Sequence, residues 1–96
     1  MAADVGPSWR AGRADELVWA HFGTDFVLYH RPSGKTHFLN AATALLLKEV
    51  LVRPKSALEA AEELADHQAA VASDDFLAAV QHSLEHLEHL GLVERV

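Results

Sequence analysis

Between Asp25 and Leu51 the spacing of apolar positions changes character with no linker in between. Phe26-Val27-Leu28-Tyr29 and Thr36-His37-Phe38-Leu39 are runs rich in strand-formers, separated by Arg31-Pro32-Ser33-Gly34-Lys35. Pro and Gly between two such runs predict a β-hairpin. At Asn40 the pattern becomes helical and runs to about Val52, where Leu45, Leu46, Leu47, Val50 and Leu51 leave only Lys48 and Glu49 as a polar strip. A helix that is apolar nearly all round belongs inside the core. Asn40 suits its N-cap, because the side-chain oxygen can accept an unpaired amide of the first turn. Arg53-Pro54 ends it, since Pro disfavours helix in the residue before it.

The remaining chain extends this plan in both directions. Met1 to Ser8, with Asp4, Gly6 and Pro7, reads as a flexible arm, and Trp9 is the first large apolar residue that could pin it. Arg10 to Arg13 reads as a loop. Leu17 to Phe22 is a first strand, closed by Gly23-Thr24-Asp25. Three short sequential strands with short connections predict an antiparallel meander. If Arg31 opposes Thr36, Tyr29 faces Phe38, Leu28 faces Leu39, and His30 and His37 become neighbours. Both faces then carry apolar residues, and alternation alone leaves the buried face open.

Downstream, Ser56-Ala57-Leu58-Glu59 is a capping box opening a second helix, with Leu58, Ala61, Leu64 and Ala65 as its stripe. Asp66 to Ala72 fits either more helix or a frayed end. Ser73-Asp74-Asp75 starts a third helix with a cap and two acids at the positive end of the helix dipole. Its stripe is Leu77, Val80, Leu84 and Leu87, flanked by Phe76 and Leu90, and Gly91 supplies a left-handed stop before a short extended tail. Strands followed by helices, without βαβ alternation, predict an α+β fold. A three-stranded antiparallel meander and three helices also suit a winged-helix-like arrangement, with the hairpin as wing. The expected organisation is one domain over 9–96 behind the arm 1–8.

Composition narrows the function classes. The formal charge is −6, and from Ser56 to Glu94 there are acids and histidines but no Lys or Arg. Nucleic-acid affinity needs cations on the contacting face, and a groove-reading helix needs Arg, Lys, Asn or Gln directed at bases. The third helix offers Gln81, glutamates and histidines, so a nucleic-acid-binding regulator is the secondary reading and nucleic acid is not the expected partner. There is no cysteine, which excludes disulfides and thiolate metal sites. No signal-like N-terminus and no run long enough to span a bilayer are present, so a cytoplasmic protein without membrane partners is expected.

Candidate chemistry is sparse. His82, His86 and His89 share one face of the third helix, a spacing that can present imidazoles to zinc. They point away from the apolar stripe and lack a fourth ligand, so a solvated or partner-facing surface that titrates near pH 6.5 is expected instead of a metal site. Ser33 lies in a turn without a nucleophile-elbow context, and Glu62-Glu63 and Asp74-Asp75 are adjacent pairs whose side chains diverge. No catalytic residue, no metal and no cofactor is assigned.

The remaining feature is the open edge of the last strand. A meander leaves its outer strand with unpaired amides and carbonyls. Thr36 to Leu39 carries no charge that guards them. Such an edge can take an added strand, main-chain bonds giving affinity and side-chain pockets selectivity. The competing expectation is that the arm, the C-terminal tail or a second copy in a homodimer covers it.

The run VLYHRPSGKTHFLNAATALLL, the capped helix Ser56-Ala57-Leu58-Glu59-Ala60-Ala61-Glu62, and the ending His89-Leu90-Gly91-Leu92-Val93 resemble the PqqD-like proteins. The resemblance covers about Trp9 to the C-terminus and is nearest to the HPr-rel-A system subgroup. It implies a non-catalytic peptide chaperone, or recognition element, that captures the leader segment of a ribosomally made precursor and presents it to a modifying enzyme. By the same resemblance the peptide adds to Thr36, His37, Phe38 and Leu39, opposite a wall of Phe76, Val80, Ser83, Leu84 and Leu87. A partner related to the HPr kinase is implied as well. A structural subunit docking on such an enzyme is the third reading.

Overall fold

The structure, a computed structural model, describes residues 7–96. The arm expected over 1–8 lies outside the described residues up to position 6, and its last residue proves to be strand. β1 (Ser8–Ala11) is the centre of a small antiparallel sheet, flanked by β5 (Lys55–Ser56) and β6 (Val93–Arg95). The stretch expected as a loop from Arg10 is therefore strand as far as Ala11. Isolated from its partners, four-residue Ser-Trp-Arg-Ala carries almost no strand signal. Trp9 supplies the reason it pairs. Its ring is 2 % exposed, its Nε1 donates to a Glu88 carboxylate oxygen at 3.1 Å, and the Arg95 guanidinium lies 5.1 Å above it.

The expected meander is present as β2 (Leu17–Phe22), β3 (Asp25–His30) and β4 (Lys35–Leu39). Its register differs from the one considered above by a slip of two residues. Leu28 stands opposite His37, Tyr29 opposite Thr36 and His30 opposite Lys35. The loop closes at His30–Lys35, with the Gly34 amide donating to the His30 carbonyl and Ser33 Oγ holding both His30 Nδ1 and the Lys35 amide. A two-residue slip leaves each side chain on its original face. Trp19, Leu28, His37 and Leu39 face the helices, and Leu28 is wholly enclosed. Val18, Tyr29, Thr36 and Phe38 face outward.

Asn40 joins the sheet to the helices as expected. Its Oδ1 accepts the Thr43 amide at 2.8 Å, opening α1 (Ala41–Leu45). Beyond Leu45 the helix widens into a π turn, Leu46–Val50, in which the Leu51 amide donates to the Leu46 carbonyl at 2.9 Å. Widening lets Leu46, Leu47, Val50 and Leu51 all reach the core. Asn40→Ala is expected to lower unfolding free energy by about 1 kcal/mol in urea titration. No change would mean that β4 and the core hold the first turn without the cap.

The capping box at Ser56 forms in full, and α2 (Ala57–His67) follows. It stops because Ala69 takes a left-handed conformation (φ 51°), with the Ala70 amide donating to the Ala65 carbonyl at 2.8 Å. That settles the open stretch after Asp66 in favour of a loop. α3 (Asp74–His89) starts on the Ser73 cap and ends before Gly91, whose φ is 80°. Leu92 then turns back into the core and delivers β6 to β1. The architecture is α+β, with helices segregated against one face of the meander and the two chain ends paired in a second sheet.

Candidate functional site

The meander has two edges, and strand alternation decides which groups each offers. The Arg31 amide donates to the Glu16 carbonyl at 2.8 Å, on the β2 side. Main-chain groups of successive strand residues point to opposite sides. Hence Phe26, Leu28 and His30 turn theirs to β4, and their partners His37 and Leu39 spend theirs on β3. Thr36 and Phe38 are left with amides and carbonyls directed to the open edge. No described strand pairs there: β1 pairs with β5 and with β6 in the second sheet.

Beside the end of β4 the surface dips into a cavity of ≈ 210 Å³. Leu46 and Leu64 form its floor, and Phe76, Ala79, Val80 and Ser83 of α3 form one wall. The first turn of α1, with Ala42 and Thr43, forms the other, and Asn40 stands at the mouth. A strand added to β4 and continued past Asn40 would cross it. A larger cleft of ≈ 770 Å³ opens on the β2 side. Most of its charges are engaged: Arg10 pairs with Glu94, Arg13 with Asp15, and Lys48 lies over the Trp19 ring at 5.2 Å. The smaller, apolar cavity is the better match to an uncharged strand edge.

The residues implied by the resemblance divide into four groups. Phe76, Val80 and Ser83 line the cavity. Thr36 and Phe38 offer main chain, but their side chains lie on the outer face, Phe38 being 76 % exposed. His37 and Leu39 face inward. Leu84 and Leu87 are 0 % exposed and serve the core, so they do not form part of an accessible wall. The helical stripe that made them candidates is the same stripe that packs a helix, and sequence spacing does not separate the two roles. Asn40, Ala42, Thr43, Leu46, Leu64 and Ala79 complete the cavity lining and were not among the expected residues, since only the packing of the helices brings them together.

His37 is the chemically distinctive side chain. Its Nε2 is buried with no hydrogen-bond partner. Burial first, and then the nearby His30, Lys35 and His86, lower its pKa below the usual histidine value. His86 on α3 is thus near enough for its charge to act on His37, although its spacing with His82 and His89 suggested a surface pointing away. Among the described residues no three His, Asp or Glu side chains converge on a common point that could hold a metal ion.

These values have a sign. The unfolded chain protonates His37 near pH 6.5 and the folded chain only at lower pH. Stability from this group is thus complete above pH 6.5 and is lost as pH falls through the folded value. His37→Gln is expected to flatten the dependence of the urea midpoint on pH between about 7.5 and 5. An unchanged slope would assign that dependence to other groups. The Glu88 carboxyl is lowered by its hydrogen bonds from Trp9 and Arg95, so its contribution is complete above the ordinary carboxylate value and is lost as pH falls through the folded one.

Comparison with known proteins places the fold. No family model matches the chain, and no curated protein matches it. A solved structure does: TbiB1 in complex with the TbiA(beta) leader peptide, at 20 % identity and a TM-score of 0.62, over 88 % of this chain and 94 % of that one. The two share their fold across nearly their whole lengths. No helix among the described residues is long and apolar enough to cross a membrane.

Proposed function

We propose that this chain is a non-catalytic peptide-recognition domain that captures the leader segment of a ribosomal precursor peptide as an added strand on β4. The observation that carries it is the β4 edge, which pairs with no strand among the described residues: β1 and β6 are joined in a separate sheet, while Thr36 and Phe38 face solvent beside an apolar cavity. Main-chain pairing would hold the peptide in register, and the cavity would take an apolar side chain near Asn40. TbiB1, which shares the fold, was solved with a leader peptide bound. The PqqD-like motifs around Ser33-Gly34-Lys35-Thr36-His37 support the same reading. In it the protein supplies binding and presentation, in the cytoplasm, and a modifying enzyme or a protein related to the HPr kinase supplies the chemistry.

Amide hydrogen exchange with candidate precursor peptides tests this directly. Protection is expected at Thr36 and Phe38, whose outward main-chain groups pair with no described strand, together with the α3 segment from Phe76 to Ser83. Protection confined to Leu17–Phe22 would move the site to the β2 edge and its larger cleft.

A further inference from the structure

We propose that the sheet end of the groove recognises a carboxylate, so that the captured peptide carries an Asp or Glu side chain seated among His37, His86, His30 and Lys35. This rests on β4 being the capture edge and names the class of peptide that edge selects.

Three observations converge on it. The four groups come from three elements, β3, β4 and α3, and none is an acid. The chain has 14 Asp and Glu residues, yet from Phe26 to Lys48 there is none. The hairpin and the first half of the α1 region are therefore a positive island in a protein of net charge −6. Finally, the His37 Nε2 is a buried polar atom without a partner. A buried orphan group is uncommon, because it forfeits a hydrogen bond it had in water.

Strand geometry brings a peptide side chain to this place. His37 faces inward and Leu28 flanks it on β3. An added strand lies about 4.8 Å away on the other side. Because His37 spends its main-chain groups on β3, its pair with the newcomer is a non-hydrogen-bonded one, the kind in which side chains approach most closely. The peptide residue opposite His37 consequently points at the same inner corner. An apolar residue there would leave Nε2 unpaired. A carboxylate would accept from it and lower the mutual repulsion of the cluster. That repulsion already acts on His37 from His30, Lys35 and His86, after the effect of burial.

The test uses the full chain and a displayed library of random linear dodecapeptides. Binders that protect Thr36 and Phe38 from exchange are sequenced, and one is synthesised with its acid and with the matching amide. Asp or Glu is expected at a constant distance from the apolar residue seated at Phe76 and Val80. The acid-to-amide change should weaken binding to the wild-type chain about tenfold or more, the scale of a charge-assisted hydrogen bond. His37→Gln should shrink that ratio, as should His86→Gln, an exposed helix position that leaves the fold intact and reads the cluster independently. Affinity for the acidic peptide should rise as pH falls from about 8 to about 6, because binding takes up a proton on histidine. Edge-protecting binders without acidic enrichment, or an acid-to-amide ratio equal in wild type and both variants, would overturn the carboxylate assignment alone. Binders that leave Thr36 and Phe38 unprotected would overturn the capture edge itself, and the assignment with it.

Discussion

Phe38→Pro is expected to weaken peptide capture by roughly tenfold to a hundredfold while the hairpin stays folded, whereas His37→Pro one residue earlier is expected to unfold it. The two substitutions remove the same atom from the same strand, and they differ only in where it points. The Phe38 amide faces the open edge, as alternation from the Arg31–Glu16 bond requires. Proline is tolerated on an edge strand when its missing N–H would face solvent. Its absence would leave a peptide carbonyl unpaired, costing about 1–3 kcal/mol, or roughly tenfold to a hundredfold in affinity. The His37 amide instead pairs with β3, and its loss breaks the ladder that positions the edge. Phe38→Ala is the control for the ring, which stands outward and is expected to matter little for capture. Circular dichroism melts with peptide titrations on all three variants provide the measurement. Undiminished binding by a folded Phe38→Pro chain would exclude strand addition at this edge.

Trp9→Ala is expected to produce the largest loss of stability of any single substitution in the chain, about 3–5 kcal/mol. Domains of this size have only about 5–15 kcal/mol to lose. The indole is enclosed, donates to Glu88 and is covered by Arg95, so it ties β1 to α3 and β6 together. Its removal opens a cavity at the junction of both chain ends. The effect bears on function because a released β1 or β6 becomes a strand free to compete for β4. Denaturant unfolding gives the magnitude, and a loss under about 1 kcal/mol would show that the second sheet stands without the indole.

Local chemistry was legible wherever a short-range rule applied. The Asn40, Ser56 and Ser73 caps, the Gly91 stop and the three meander strands all lie within a residue or so of where spacing and cap residues put them. The second sheet was not legible. Ser8–Ala11 and Lys55–Ser56 are too short to show alternation, and their pairing joins residues far apart in the chain. The register slip has a similar origin, since the loop closes through Ser33 and Gly34 hydrogen bonds that composition does not rank.

By itself the sequence determined the three meander strands and the three helices, the buried character of α1, the absence of thiolate chemistry and the acid-free segment around β4. Those are properties of neighbouring residues or of simple counts. Only the tertiary structure decided that no described strand covers the outer edge of β4, that Phe38 turns outward while Leu84 and Leu87 are enclosed, and that His37 comes within electrostatic reach of His86. Each depends on which segments pair across long stretches of chain, and there the committed chain ends settle the outcome. Because β1 and β6 satisfy one another around Trp9, neither is left to pair with the strand that the hairpin holds up.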